Sequence, residues 1–146
     1  MHGEYFDVAG EPAPQGSKRH VGHGIMVESS KKVKPWREAV AWAASEHLNG
    51  RVRPVIEGPV ELAITFYFAR PTSGKARKRV GPSVKPDLDK LLRSTLDALK
   101  TSGLYEDDAR VVKIEAEKLY LDCHTTRGPG ARIVYRPWSP ITPRLL

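Results

Sequence analysis

The sequence is poor in cysteine and in long apolar runs, and each shortage excludes a class of protein. Cys123 is the only cysteine, so no disulfide forms within the chain, and a cysteine-based zinc site is disfavoured. The longest apolar run, residues 39–44, is too short to span a bilayer, and the first residues lack the basic and apolar regions of a signal peptide. We therefore expect a soluble, cytoplasmic protein with no membrane partner, in which any metal is held by oxygen or histidine.

Length and composition predict one folded domain. The chain has 146 residues, of which 40% are hydrophobic, and this supports one modest core rather than two. Glycine and proline number 12 each, slightly above average usage and below the level that marks disorder. We place the domain at 1–136 and a proline-rich tail at 137–146.

Positive charge exceeds negative charge and is unevenly distributed along the chain. The 24 lysines and arginines outnumber the 17 acids, which gives a net charge of +7 and favours nucleic acid as a partner. Segment 87–122 is the exception, with nine acids and six bases. A basic body with one acidic cluster is typical of a protein that binds a polyanion and acts on it through cations. The alternative is that these acids are solvated faces of a helix and a strand.

Hydrophobic periodicity predicts four strands and two main helices. Apolar residues recur at helical spacing over about 35–48 and about 87–100. Alternation predicts strands at 5–8, 60–69, 111–121 and 131–135, the last two paired as a hairpin. The order β-α-β-α-β-β predicts an α+β fold, a small mixed sheet of about four strands with both helices on one side. We expect both tryptophans of the first helix, Trp36 and Trp42, to be core residues.

Two basic segments rich in turn residues are candidate DNA-binding loops. Segment 70–79 has five bases and no acid. Four of these bases are Lys75, Arg77, Lys78 and Arg79. Segment 10–19 combines proline and glycine with Lys18 and Arg19. We expect both segments to follow the phosphate backbone of DNA, and the alternative for 70–79 is a solvated loop.

Two groups of aspartates flank the second predicted helix. Asp87 and Asp89 open it, and Asp107 and Asp108 follow it. A helix of about 13 residues is roughly 20 Å long, and the extended segment 101–107 spans about 23 Å, so Asp108 has just enough chain to return to the helix N-terminus. Converging carboxylates of this kind hold Mg²⁺ in nucleases.

Each aspartate also has a purely structural interpretation. Asp87 can cap the helix, Asp89 can be a favourable charge in its first turn, and Asp107 and Asp108 can form a turn. Asp97 is expected to face solvent or to pair with Arg93 or Lys100 on the same helix.

The same residues resemble a known family. DLDKLLR at 87–93, LDAL at 96–99 and GLYEDDARV at 103–111 are similar to the core signature of RusA-type Holliday junction resolvases. PAPQGSKR at 12–19 also resembles the basic N-terminal loop of phage-type members. The resemblance implies a RusA-like fold with catalytic, Mg²⁺-binding Asp87, Asp89 and Asp108, and with Asp107 in a supporting role at the metal. Mn²⁺ is the expected substitute.

Two positions depart from the family pattern. Lys90 stands where members usually have asparagine, and Arg93 stands where they have a functional lysine. Arg93 keeps the positive charge and can clamp a phosphate, although it cannot release a proton near neutral pH. We assign Arg93 to catalysis and Lys90 to DNA binding.

The resemblance implies a homodimeric endonuclease that nicks four-way DNA junctions symmetrically during recombination and repair, near the nucleoid of a bacterial or phage-infected cell. Two alternatives stay open, a metal nuclease acting on flaps or other branched DNA and a junction-binding protein without catalysis. The dimer interface is expected at Trp36 or Trp42, or at the edge of the sheet.

Overall fold

The computed structural model describes residues 2–16, 18–20, 22, 26–28, 31–122 and 127–140. At 18–20 and 26–28 the description covers the backbone, so the side chains of Lys18 and Arg19 lie outside it. Residues 141–146 of the predicted tail also lie outside it, and the domain boundary at 136 stays a prediction.

Six strands and two α-helices make up the described fold. The strands are β1 Glu4–Ala9, β2 Lys18–His20, β3 Met26–Glu28, β4 Val60–Phe68, β5 Val111–Tyr120 and β6 Gly130–Pro137. The helices are α1 Val33–His47 and α2 Leu88–Ser102, with short 3-10 turns at Lys75–Lys78 and Asp108–Arg110. No helix among the described residues is long and apolar enough to cross a membrane.

The main sheet has the order β1-β6-β4-β5 and carries both helices on one face. The parallel pairing of β4 with β5, and the antiparallel pairing of β6 with β4 and β1, confirm the predicted mixed sheet and α+β class. The predicted hairpin between β5 and β6 is wrong, because β4 lies between them. The parallel β4–β5 pair needs α2 as its crossover, so β6 pairs on the free side of β4. The strands β2 and β3 form a separate pair, and β2 overlaps the end of segment 10–19, which was predicted as a loop.

The core lies between the sheet and the two helices. Trp36 is 1% exposed and its indole Nε1 donates to Thr95 Oγ1 of α2 at 3.1 Å, which ties the helices together inside the core. Trp42 is 68% exposed, so its prediction as a core residue is wrong. Six residues of helix turn through about 600°, which rotates Trp42 far from the buried stripe of Trp36.

We expect Thr95→Val to lower the free energy of unfolding by about 1–3 kcal/mol, because it leaves the Trp36 indole N–H buried without an acceptor. Urea denaturation followed by fluorescence measures this change. Thr101→Val is the matched control, since Thr101 also donates to a helix carbonyl but is exposed. The control should stay within about 0.5 kcal/mol of the unmodified chain, and equal losses in the two variants would contradict the prediction.

Candidate active site

The aspartates that precede and begin α2 are exposed. Asp87 occupies the N-cap position, but its side chain makes no capping hydrogen bond, so the structural interpretation of this residue is not supported. Its Oδ2 lies 3.7 Å from the Lys90 ammonium. Asp89 lies in the first turn. These carboxylates are therefore open to a ligand at the start of the helix.

Lys118 fixes the segment that leads into Asp87. Its ammonium, on the helix-facing side of β5, donates to the carbonyl oxygens of Val84 at 2.8 Å and Pro86 at 2.9 Å. The long connection from β4 is thereby tied to the sheet directly before α2 begins. Sequence reasoning missed this role, because an alternating strand pattern does not say what a lysine on it contacts.

Segment 11–16 lies along α2 and is bonded to it at three places. Ser94 Oγ donates to the carbonyl of Ala13 at 2.6 Å, and the Gln15 amide N–H donates to the carbonyl of Lys90 at 3.0 Å. Gln15 Nε2 also donates to Asp97 Oδ2 at 2.6 Å. Gly16 has a φ of 120°, a conformation that favours glycine, and its Cα lies beside the Arg93 guanidinium.

Asp97 therefore does not behave as expected. It was predicted to face solvent or to pair with Arg93 or Lys100, but it is half-buried and accepts from Gln15. One signal for its location is available in the sequence, because Asp97 lies four residues after Arg93 and eight after Asp89, on the same side of the helix. Its partner Gln15 is 82 residues away and gives no such signal.

Asp108 packs against Asp97 and Tyr105. Burial and the facing Asp97 carboxyl raise the pKa of Asp108 above its ordinary value of 3.8. Burial, with the Asp108 charge beside it, also raises the pKa of Tyr105, whose hydroxyl donates to the carbonyl of Leu96 at 2.9 Å. Two oxygen atoms of this cluster, Asp108 Oδ1 and Gln15 Oε1, are buried and have no hydrogen-bond partner within the described part of the chain.

Asp107 has a structural role as well as an exposed position. Its Oδ2 accepts from the Ala109 amide at 3.2 Å, and its Oδ1 lies 3.2 Å from the Lys100 ammonium. These two partners hold the pKa of Asp107 below its ordinary value. Asp107 thus caps the 3-10 turn that presents Asp108.

The predicted convergence of the aspartates at the start of α2 differs from the described geometry. Asp108 lies beside Asp97, which is eight residues, or about 12 Å along the helix axis, beyond Asp89. In the described part of the chain, no group of three or more His, Cys, Asp or Glu side chains lies close enough to hold a metal. The structure instead places one pair of acids at the start of α2 and a second pair two turns further along.

The predicted basic loop is ordered by two arginines. Arg70 donates from Nη1 to the carbonyl oxygens of Arg77 and Arg79, and Arg79 donates to the Tyr120 hydroxyl at 2.9 Å. This arrangement leaves Lys75, Arg77 and Lys78 exposed on the 3-10 turn.

Comparison with known proteins identifies the class of this chain. The family model for endodeoxyribonuclease RusA matches residues 9–127. The chain belongs to this family of Holliday junction resolving endonucleases, and it is therefore a nuclease of DNA recombination.

Two relatives agree with this family. The chain is 32% identical over 126 residues to the uncharacterised protein YqaN of Bacillus subtilis (strain 168), covering 79% of this chain and 86% of YqaN. It is 33% identical over 61 residues to the crossover junction endodeoxyribonuclease rusA of Lactococcus phage r1t, covering 42% of this chain and 45% of the phage protein.

We expect Asp97→Asn to stabilise the metal-free protein at neutral pH, because it removes one of two facing acids. A carboxyl whose pKa is raised on folding contributes its full stability below the unfolded pKa, 3.8 for aspartate, and loses that contribution as the pH rises through the raised value. The melting temperature should rise by about 2–4 °C for each kcal/mol of repulsion relieved, and the gain should vanish in acid.

Thermal melting with a chelator present, at neutral pH and below the ordinary pKa, measures this gain. Glu117→Gln, which removes an exposed carboxyl on β5, is the control and should show no pH-dependent gain. A melting temperature of Asp97→Asn equal to or below that of the unmodified chain at neutral pH would contradict the prediction.

Proposed function

We propose that this resolvase is a Mg²⁺-dependent endonuclease that cuts four-way DNA junctions by paired, symmetric nicks, in recombination and repair within the cytoplasm. One observation carries the proposal. Asp97, on the helix that follows Asp87 and bears Asp89 and Arg93, forms a half-buried carboxylate pair with Asp108 of the next turn. The Oδ1 atom of Asp108 is buried and has no hydrogen-bond partner among the described residues.

The donor set fits a hard divalent cation. Mg²⁺ prefers oxygen ligands and keeps several waters, so one or two carboxylates suffice to bind it. The orphaned Asp108 Oδ1 is such a ligand, and a cation beside it would offset the repulsion from Asp97. On this observation we assign the metal to Asp108, and the family resemblance adds Asp87 and Asp89 as ligands, supported by Asp107, with Mn²⁺ as a substitute. In the described geometry Asp89 lies about 12 Å along α2 from Asp97, the neighbour of Asp108, so the full set does not meet there. When bound, the metal lowers the pKa of water and neutralises charge on a scissile phosphate.

The side chains along α2 position the DNA. Arg93 clamps a phosphate oxygen through two N–H groups and stays protonated at every physiological pH, so it orients the phosphate rather than moving a proton. Lys90, three residues earlier, contacts the adjacent phosphate. Water attacks the phosphorus in line with the leaving 3′ oxygen, and the P–O3′ bond breaks. The products are 5′-phosphate and 3′-hydroxyl ends.

The DNA arms lie on the basic surfaces. The exposed turn at Lys75–Lys78 is rigid because Arg70 holds it, and rigid cations lose less entropy on binding phosphate than mobile ones do. The bases assigned to the arms are Lys18, Arg19, Lys75, Arg77, Lys78 and Arg79.

A homodimer follows from the reaction. One chain supplies one set of carboxylates, whereas resolving a four-way junction takes two opposed cuts, and a two-fold dimer supplies two equivalent sites. Trp36 is buried in the core and is removed from the candidate interface. Trp42 and the edges of the sheet, β1 and β5, remain.

A supercoiled plasmid that extrudes a cruciform tests the function directly. With Mg²⁺ we expect linear product with little nicked-circle intermediate, and light scattering should give about twice the 16.3 kDa chain mass at micromolar concentration. A monomer that yields mainly nicked circles favours a simple metal nuclease. Cutting of flaps but not of junctions favours the flap alternative, and binding without cutting favours a junction-binding protein.

We expect Asp89→Asn and Asp108→Asn each to abolish cleavage while junction binding survives. The loss should exceed the roughly 10- to 100-fold effect of removing an outer-shell partner, because each change removes a ligand. A second readout is independent of activity, since Mg²⁺ should raise the melting temperature of the unmodified chain and not that of Asp108→Asn.

Glu117→Gln is again the matched control, because it removes one negative charge far from α2. It should cleave normally and keep the Mg²⁺-dependent rise in melting temperature. Near-normal cleavage by both Asp89→Asn and Asp108→Asn would overturn the site assignment.

A further inference from the structure

A row of three basic depressions leads away from Asp87. The first, of about 310 Å³, lies beside Asp87 and Lys90, and the second has about 180 Å³. The third, of about 700 Å³, lies at the ends of β4 and β5. Neighbouring depressions share wall residues, Lys85 and Pro86 between the first two and Tyr120 between the last two, so the three adjoin and are together called the groove.

The charge of the groove matches a nucleic-acid strand. Its acids are Glu11, Asp87 and Asp122. Its bases are Lys32, Arg70, Arg79, Lys85, Lys90, Lys118 and Arg127. A groove with this excess of positive charge attracts the phosphates of a strand along its whole length.

The wide end of the groove contains a stacking platform. The Arg70 guanidinium carbon lies 4.7 Å from the centre of the Tyr120 ring. The ring is fixed by Arg79, which donates to its hydroxyl, and Arg70 is fixed by the carbonyl oxygens that it contacts. One face of the guanidinium is covered by the ring, and Arg70 as a whole is an exposed residue. Nucleic-acid bases stack on guanidinium and aromatic planes of exposed residues.

A stacking platform of this kind selects unpaired nucleotides. A base within a duplex has both faces covered by its neighbours, so only an unstacked base can use the platform. Phosphate contacts alone would not need an aromatic ring at the end of the groove.

We propose that this groove binds a single DNA strand that continues from the cutting site, with an unpaired base stacked on the Arg70–Tyr120 pair. The inference rests on the proposed function, because Asp87 marks where the strand is cut. The stack gives this chain a preference for junctions that carry unpaired nucleotides beside the cut.

Binding measurements in the Asp108→Asn background test the proposal without cleavage. Fluorescence anisotropy gives the dissociation constants for a labelled thymidine oligonucleotide, a four-way junction and a linear duplex. Tyr120→Leu and Tyr120→Phe both release Arg79, and only Tyr120→Leu removes the ring. Tyr120→Leu should therefore bind the single strand about 5- to 150-fold more weakly than Tyr120→Phe, the cost of one lost stack, and the two variants should bind the duplex within about two-fold of each other. Tyr120→Trp, which also retains a ring, should bind the single strand as Tyr120→Phe does.

The chain provides a matched control. Arg132 stacks on Tyr5 at 4.5 Å on the face of the sheet opposite Tyr120, so Tyr5→Leu removes the same kind of pair. Since Tyr5 lies on β1, a candidate dimer edge, the light-scattering mass of the variant must equal that of its parent. With that condition met, Tyr5→Leu should leave all three dissociation constants unchanged. A junction with 2-aminopurine next to the cut should show a fluorescence change on binding that Tyr120→Leu abolishes and Tyr120→Trp keeps.

Two outcomes overturn the proposal. In one, folded Tyr120→Leu binds the single strand as tightly as Tyr120→Phe. In the other, Tyr120→Leu and Tyr120→Trp weaken single strand and duplex equally, so that the groove only contacts phosphates. Failure of the proposed function is distinguishable, because the Asp108→Asn parent would then show no preference for the junction over the duplex, whatever Tyr120 does.

Discussion

The hydrogen bonds that hold segment 11–16 along α2 are the constraint on which the candidate site depends. They place Gln15 against Asp97 and Gly16 beside Arg93, and so they decide which side chains of the helix reach a ligand. On its other side α2 is held by Trp36 through Thr95. A helix held on two faces keeps its carboxylates in place although these repel one another. The site is therefore a property of the packed domain and not of the DLD motif alone.

The elements of the fold were predictable from local pattern, but their pairing was not. Alternation predicted β4 and helical periodicity predicted α2, because burial on one side imposes a repeat on nearby residues. The predicted hairpin of β5 with β6 was wrong, because β4 pairs with β5 on one edge and with β6 on the other. Such pairing depends on contacts across the whole sheet and not on the sequence of two neighbouring strands. Trp42 is exposed for a simpler reason, since six residues of helix place it about 120° around α1 from the buried stripe of Trp36.

The candidate site was likewise predictable only in part. The sequence motif predicted Asp87, Asp89 and Asp108, whereas the roles of Asp97, Gln15 and Tyr105 depend on how three distant segments pack together. A glutamine between Pro14 and Gly16 carries no pattern of its own. Its role comes from a backbone bond to Lys90 that no local rule predicts. Arg93, which stands where family members have a lysine, has its guanidinium beside Gly16 of the loop.

The acidic pair and the basic surface are two parts of one electrostatic arrangement. Asp97 and Asp108 face each other at a cost to stability, and in a chain of net charge +7 that cost is reduced by the surrounding cations but not removed. A divalent cation bound beside these two carboxylates would offset the repulsion between them. The phosphate that accompanies the cation would be attracted by Arg93 and by the bases of the groove beyond Asp87. Metal and DNA should therefore bind with positive coupling, because each reduces the repulsion that the other meets. The same reasoning explains why the acids lie on a helix bordered by bases, since an isolated acidic cluster would repel the strand that it has to cut.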